Sequence, residues 1–92
     1  MVERRSKVKI LKDILSTIQN KGGKAKPTHI LYGANLSHDR LKKYLETLEA
    51  EELIKKNQKG GQLFYEITQK GLEFLSTYNK MKRFFNAFGV SI

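Results

Sequence analysis

The chain has 92 residues, with 18 Lys or Arg against nine Asp or Glu, so its formal net charge near neutral pH is +9. A chain of this length has material for one hydrophobic core, and the lack of cysteine excludes disulfides and thiolate metal sites. The positive charge, with a pI of about 9.9, favours a polyanionic partner and makes nucleic acid the leading class. The alternative is a basic surface that only keeps the protein soluble.

Membrane and metal partners find no support in the sequence. No apolar run approaches the roughly 20 residues of a membrane span. The first ten residues, MVERRSKVKI, carry charges where a signal peptide needs an apolar stretch. Two histidines cannot build a metal site alone. We therefore expect a cytoplasmic protein with no membrane partner, no cofactor and no metal.

Apolar periodicity predicts two helices in the first third of the chain. An amphipathic helix over residues 5 to 20 follows from apolar residues at three- and four-residue steps: Val8, Leu11, Ile14, Leu15 and Ile18. The sequence Lys21-Gly22-Gly23 ends this helix. Pro27 suits the first turn of a short second helix, which Gly33 closes.

A third helix begins at Ser37. Its hydroxyl suits an N-cap, and Asp39 favours the positive end of the helix dipole. Leu36 and Leu41 stand at the two positions of a hydrophobic staple. The helix is expected to run to about Glu51, with a leucine stripe facing inward.

A β-hairpin and a final helix complete the chain. Two β-prone runs flank Gly60-Gly61, which predicts a tight turn. In the second strand, alternation directs Leu63, Tyr65 and Ile67 to one face and Phe64 and Glu66 to the other. Thr68 is the expected cap of a helix over residues 69 to 88.

The order of helix, short helix, turn, helix, hairpin and helix is that of a winged helix-turn-helix, an α+β fold that is mostly α. The interruption at 33–37 lets the third helix cross the second at a steep angle. We expect residues 1–68 to form the DNA-binding domain and residues 69–92 the dimerisation helix, within a single structural domain.

Two strings in the chain resemble a known family. They are ILYGANLS at residues 30–37 and the Thr-x-Lys-Gly string at residues 68–71 that follows a strand. The first is similar to sequences of small archaeal winged-helix DNA-binding proteins, the family of the ten-kilodalton a-type chromatin protein of Sulfolobus. The resemblance implies a DNA-binding homodimer, paired through long C-terminal helices in an antiparallel coiled coil.

The outward side of the third helix is the surface that we expect to bind in the major groove of double-stranded DNA, since the N-terminal part of a recognition helix reaches base edges. The candidate residues there are Ser37, His38, Asp39, Arg40, Lys42 and Lys43. Glu46 could accept from cytosine N4 or repel phosphate. The alternative for each is a solvated helix face.

Residues elsewhere in the chain, most of them basic, are candidates for phosphate or minor-groove contacts. They are Arg4 and Arg5 near the N-terminus, Thr28 in the second helix, and Lys55, Lys56, Lys59 and Gly60 in the hairpin, or wing, over residues 55–62. An alternative for the wing is a turn that needs glycine for positive φ, with lysines protecting a strand edge. Tyr32, Tyr44 and Tyr65 are expected in the core.

The last helix carries a heptad seam that predicts a dimer interface. Its members are Phe74, Tyr78, Met81, Phe85 and Phe88. The alternatives are a helix that folds back on its own subunit and a membrane-surface role for the C-terminal segment MKRFFNAFGVSI.

Binding rather than catalysis is the expected function. The sequence has no phosphate-cradling glycine loop, no nucleophile with a base at a recognisable spacing and no paired carboxylates in an apolar setting. We expect a duplex-binding transcriptional regulator or chromatin component associated with the nucleoid. The alternatives are a winged-helix protein-interaction module in a transcription-related assembly and an RNA-binding protein.

Overall fold

The computed structural model describes residues 5–90 and 92, and it contains four helices and three strands within them. In chain order, these elements are α1 (Lys7–Asn20), β1 (Lys24–Ala25), α2 (Pro27–Gly33), α3 (His38–Ala50), β2 (Ile54–Lys59), β3 (Gln62–Ile67) and α4 (Gln69–Asn86). The predicted winged helix-turn-helix is confirmed.

α1 forms the centre of the core. It begins after Ser6, whose hydroxyl accepts a hydrogen bond from the Lys9 N–H at 3.1 Å. Of the apolar face predicted from the periodicity, Ile14, Leu15 and Ile18 are buried and Leu11 is half-buried. The prediction is wrong for Val8, which is 50% exposed, because Ile10 takes the inward position at that end of the helix. Among the other helices, α2 contributes Ile30 to this core and α3 contributes Leu48.

The turn between α2 and α3 lies directly against α1. A Cβ atom at Gly33 would lie only 2.4 Å from Cγ2 of Thr17, so a larger residue there would force α2 away from α1. Asn35 then reverses the chain in the left-handed region at φ 54°. Leu36 and Leu41 are both buried, as a hydrophobic staple requires.

The three strands form an antiparallel sheet in the order β1, β3, β2. The predicted hairpin is confirmed, and Lys59 pairs with Gln62 across the two-residue turn. Gly60 and Gly61 have φ of 59° and 77°, the positive values that a type I′ turn needs at both positions. The short strand β1 was not predicted, and it pairs Lys24 with Glu66.

α4 is capped at both ends. The Thr68 hydroxyl accepts from the Gly71 N–H at 3.1 Å, as predicted. The helix ends at Asn86 rather than at 88, because the Val90 N–H bonds back to the Phe85 carbonyl at 2.9 Å. Within residues 5–90 and 92, no helix combines the length and apolar character needed to cross a bilayer.

Candidate nucleic-acid interface

The first two turns of α3 present an exposed basic surface. Ser37 caps the helix by accepting from the Arg40 N–H at 3.4 Å. The candidate residues that follow the cap are all exposed: His38, Asp39, Arg40, Lys42 and Lys43. Leu41, Leu45 and Leu48 hold the opposite side of α3 in the core. The predicted orientation of the helix is therefore the one observed.

Charge is divided along α3. Its first half carries three cations, Arg40, Lys42 and Lys43, against the single carboxylate of Asp39, whereas only carboxylates, Glu46 and Glu49, lie in its second half. Phosphate groups are attracted to the first half and repelled by the second, and both effects act within about one Debye length of the surface. The helix is electrostatically suited to approach a duplex with its N-terminal end.

A groove of about 260 Å³ separates α3 from the wing. Its floor includes Leu45 and Tyr65, and its walls carry Lys42 and Glu46 from α3 and Lys56 from β2. Burial raises the pKa of the Tyr65 phenol above its ordinary value, with Lys56 opposing that shift and the glutamates of α3 adding to it. Lys56 therefore lies in a groove that also holds negative charge.

The wing lysines do not form one cluster, because successive side chains of β2 point to opposite faces of the sheet. Lys56 pairs with Tyr65 and shares the face that points toward α3. Lys55 pairs with Glu66, so it lies on the opposite face of the sheet, and the same alternation places Lys59 there. The structure brings Lys56 close to the α3 candidates and directs the other two lysines away from them.

Arg5 makes contacts within the protein. Its guanidinium donates to the Ala34 carbonyl at 2.6 Å, to the Asn35 carbonyl at 3.0 Å and to Asp13 Oδ2 at 3.0 Å. Arg5 thus ties the start of the chain to the turn before α3. Thr28 is exposed on α2. Arg4 lies outside the described residues.

The exposed apolar side chains of α4 form a strip that differs from the predicted seam. Tyr78 is buried in its own subunit, and Phe74 and Phe85 are half-buried. Met81 and Phe88 are 47% and 69% exposed, and Phe84, absent from the prediction, is 61% exposed. We call Met81, Phe84 and Phe88 the α4 strip. It continues into an apolar groove of about 350 Å³ between α4 and α1.

The three tyrosines expected in the core have different environments. Tyr65 is buried and Tyr44 is half-buried against the core, where the Lys43 ammonium lies 6.0 Å from its ring centre. For Tyr32 the expectation is wrong, because this side chain is 75% exposed. On the short α2, Ile30 takes the inward position, and a residue two places later points about 200° away from it.

The chain belongs to the winged helix-turn-helix family, whose sequence pattern matches residues 4–86. This match confirms the family that the strings at 30–37 and 68–71 indicate. No curated protein sequence matches the chain at a significant level.

Several solved structures share the fold. Sso10a-2, a DNA-binding protein from Sulfolobus solfataricus, is 24% identical with a TM-score of 0.81, and the match covers 91% of this chain and 85% of that one. A winged-helix DNA-binding protein from STIV is 11% identical with a TM-score of 0.72, covering 85% and 90%. TubR from Bacillus thuringiensis, bound to 24 bp of tubC, is 15% identical with a TM-score of 0.68, covering 78% and 81%.

Proposed function

We propose that the protein binds double-stranded DNA by placing the first half of α3 in the major groove. The observation that carries this proposal is the exposed cationic start of α3, held outward by a buried leucine face. His38, Asp39, Lys42 and Lys43 are the residues that we expect near base edges, and we expect Arg40 to meet a phosphate or a guanine. The solved structures with this fold include proteins described as DNA-binding, which supports the same function.

The wing is expected to contact phosphates or the minor groove beside α3. Gly60 and Gly61 let its tip approach a backbone closely, because neither carries a side chain. Lys56 lies nearest to α3, whereas Lys55 and Lys59 would meet phosphates further from the recognition helix. Thr28 would add a hydroxyl contact to phosphate.

The salt dependence of binding tests this arrangement. If four to six phosphates are neutralised by each subunit, log K should fall against log salt with a slope of about −4 to −5 per subunit. Replacing Lys42 and Lys43 by Ala should weaken duplex binding and make that slope shallower by up to about 2, because an ammonium in the groove also neutralises the phosphates that flank the bases. Gel shifts or fluorescence anisotropy at several salt concentrations measure both quantities.

A charge-matched control separates local contacts from net charge. Lys80→Ala with Lys82→Ala removes the same charge from exposed positions on α4. We expect this variant to keep the wild-type slope, since duplex phosphates near α3 are out of its reach. If the two double variants behave alike, or if duplex binding survives the α3 changes, the proposed interface is wrong. Binding of an acidic protein by α3 would then be the better explanation.

We further propose a homodimer formed through the α4 strip. Burying each of these half-exposed side chains would contribute roughly 1 to 2 kcal/mol, and a two-fold axis counts each one twice. Phe84→Glu places a charge in the strip and should give a monomer in light scattering after gel filtration. Asn79→Glu is the matched control, since Asn79 is exposed on the opposite side of α4 and the change should leave the dimer intact. A dimeric Phe84→Glu variant would contradict this interface.

A dimer with two recognition helices suits a transcriptional regulator or a chromatin component associated with the nucleoid. These two roles differ in sequence preference. Selection of bound fragments from a random duplex pool distinguishes them, because a regulator yields a consensus and a chromatin component does not.

A further inference from the structure

The face of the sheet that points away from α3 carries an aromatic ring among lysines. Strand alternation places Phe64 and Glu66 on this face, and the registers set Asn57 opposite Phe64 and Lys24 opposite Glu66. Phe64 is half-buried and forms a common wall of two shallow depressions of about 240 and 180 Å³. Its side chain thus borders both depressions and remains partly accessible to a ligand.

The surroundings of Phe64 are strongly basic. Among the described residues, the lysines that line the two depressions are Lys21, Lys24, Lys26 and Lys59. The only carboxylate in the same linings is Glu66, which accepts from Asn57 Nδ2 and lies 3.8 Å from Lys24 Nζ. The Lys24 side chain remains 66% exposed, so its ammonium can still meet a polyanion. The potential around the ring is positive.

We propose that this outer sheet face, defined by Phe64 with Lys21, Lys24 and Lys26, binds single-stranded nucleic acid. A base would stack on Phe64, and the flanking phosphates would meet the lysines. Stacking on a side chain requires an unpaired base, since the faces of paired bases in a duplex are covered by their neighbours. The combination of one accessible ring with a positive rim therefore favours a single strand over a duplex.

This surface goes beyond the proposed duplex site and is separate from the α3 side of that site, while Lys59 of the wing borders both and is left unchanged in the variants of the test. Lys56 and Tyr65 lie on the face of the sheet that meets α3, whereas Phe64 and Lys24 lie on the other face. Variants on one face should leave the other intact. The two functions can therefore fail independently.

The test uses fluorescence anisotropy of the full chain with labelled oligo(dT) and oligo(U), beside a labelled duplex. Phe64→Leu keeps an apolar side chain but removes the ring, and should weaken single-strand binding roughly 5- to 150-fold, the range for loss of one stacked base. Phe64→Tyr keeps the ring and should bind within about twofold of wild type. The oligo(dT) and oligo(U) arms show whether DNA, RNA or both are bound.

Two further variants make the outcome decisive. Lys42→Ala with Lys43→Ala should weaken duplex binding and leave single-strand binding unchanged. Lys21→Gln with Lys24→Gln changes only exposed side chains, so it tests the site even if Phe64→Leu is poorly folded, and it should make the single-strand salt slope shallower by about 1.4. The proposal is overturned if wild-type protein binds neither oligonucleotide, or if a folded Phe64→Leu and the lysine variant bind single strands like wild type. It is equally overturned if the α3 variant loses both ligands together.

Discussion

Replacing Asp13 by Asn tests how the helix-turn-helix is held to the rest of the domain. Asp13 accepts hydrogen bonds from Arg5 at 3.0 Å and from Lys9 at 2.9 Å. Arg5 in turn donates to the carbonyls of Ala34 and Asn35, which lie between α2 and α3. The carboxylate thus orients the guanidinium that fixes the turn before the recognition helix.

The expected loss of stability follows from these contacts. A hydrogen bond between charged groups contributes about 1.5 to 3 kcal/mol when it is well buried. The three side chains are 18 to 33% exposed, so solvent weakens each contact, and the oxygen of the new amide still accepts one hydrogen bond from a cationic donor. We expect Asp13→Asn to lower the free energy of unfolding by about 1 to 2 kcal/mol. For a domain of this size, the melting temperature would fall by roughly 4 to 15 °C.

The same substitution has a defined dependence on pH. Burial alone would raise the pKa of Asp13, but the hydrogen bonds from Lys9 and Arg5 outweigh it and hold the pKa below its ordinary value of 3.8. A carboxyl group with a lowered native-state pKa stabilises the fold above the unfolded-state pKa, and this contribution disappears as the pH falls through the native-state value. The difference between wild type and Asp13→Asn should be complete above about pH 5 and shrink below about pH 4.

Thermal unfolding followed by circular dichroism between pH 7 and pH 2.5 measures this difference. Glu73→Gln is the matched control, because it removes one carboxylate from an exposed position on α4 and should change the melting temperature little. Equal melting temperatures for wild type and Asp13→Asn at pH 7 would refute the reasoning. A difference that stayed constant down to pH 2.5 would refute the assigned role of the carboxylate.

Three further substitutions test other contacts. Gly71→Ala should destabilise the fold by about 1 to 3 kcal/mol in urea unfolding, because the new Cβ would lie 2.4 Å from the Leu53 carbonyl oxygen. A stability equal to that of wild type would exclude this close approach. Thr68→Ala removes the α4 cap and the hydrogen bond to the Glu52 carbonyl at 2.7 Å. We expect it to lower the free energy of unfolding by about 1 to 2 kcal/mol in the same assay. Arg5→Gln should weaken duplex binding without changing the salt slope of binding, since Arg5 acts by holding the turn before α3. A slope shallower by about 1 would instead place Arg5 on a phosphate.

Elements with local signals could be predicted from the sequence. Ser37, Thr68 and the Gly60-Gly61 pair each determine a boundary through their own hydrogen bonds or backbone conformation, and the structure places those boundaries where the residues predict them. β1 carried no such signal. Its two residues are a strand only because they pair with β3, a contact between distant parts of the chain.

The faces of elements were harder to predict than their ends. A helical wheel groups Phe74, Tyr78 and Phe85 with Met81, but it does not show where α1 lies against α4. The ammonium of Lys12 on α1 lies 5.8 Å from the ring centre of Tyr78, so the neighbouring helix covers that part of the seam. Phe84 could have been included from its spacing with Met81 and Phe88, because steps of three and four residues align on one side.

In the candidate site, too, features set by one element could be predicted, whereas features set by contacts between elements could not. The outward direction of Lys42 and Lys43 follows from the leucine periodicity of α3 alone. The separation of Lys56 from Lys55 and Lys59 depends on the register between β2 and β3, which spacing within one strand cannot supply. The role of Arg5 depends on a partner 29 residues away at Ala34, and composition alone suggested a phosphate contact instead.

The reversal of the chain after α4 sets a physical limit on how two copies could be arranged. The 18 residues of this helix span about 27 Å, and the hydrogen bond from Val90 to Phe85 prevents the helix from continuing in the same direction. In a pair joined through these helices, α4 would serve as a spacer of fixed length, and the distance between the two DNA-reading ends would be set by the protein. Adding seven residues, about two helical turns, to α4 between the body of the domain and the α4 strip would lengthen the spacer by about 10 Å in each copy, close to the rise of three base pairs, and the preferred distance between half-sites should change in step.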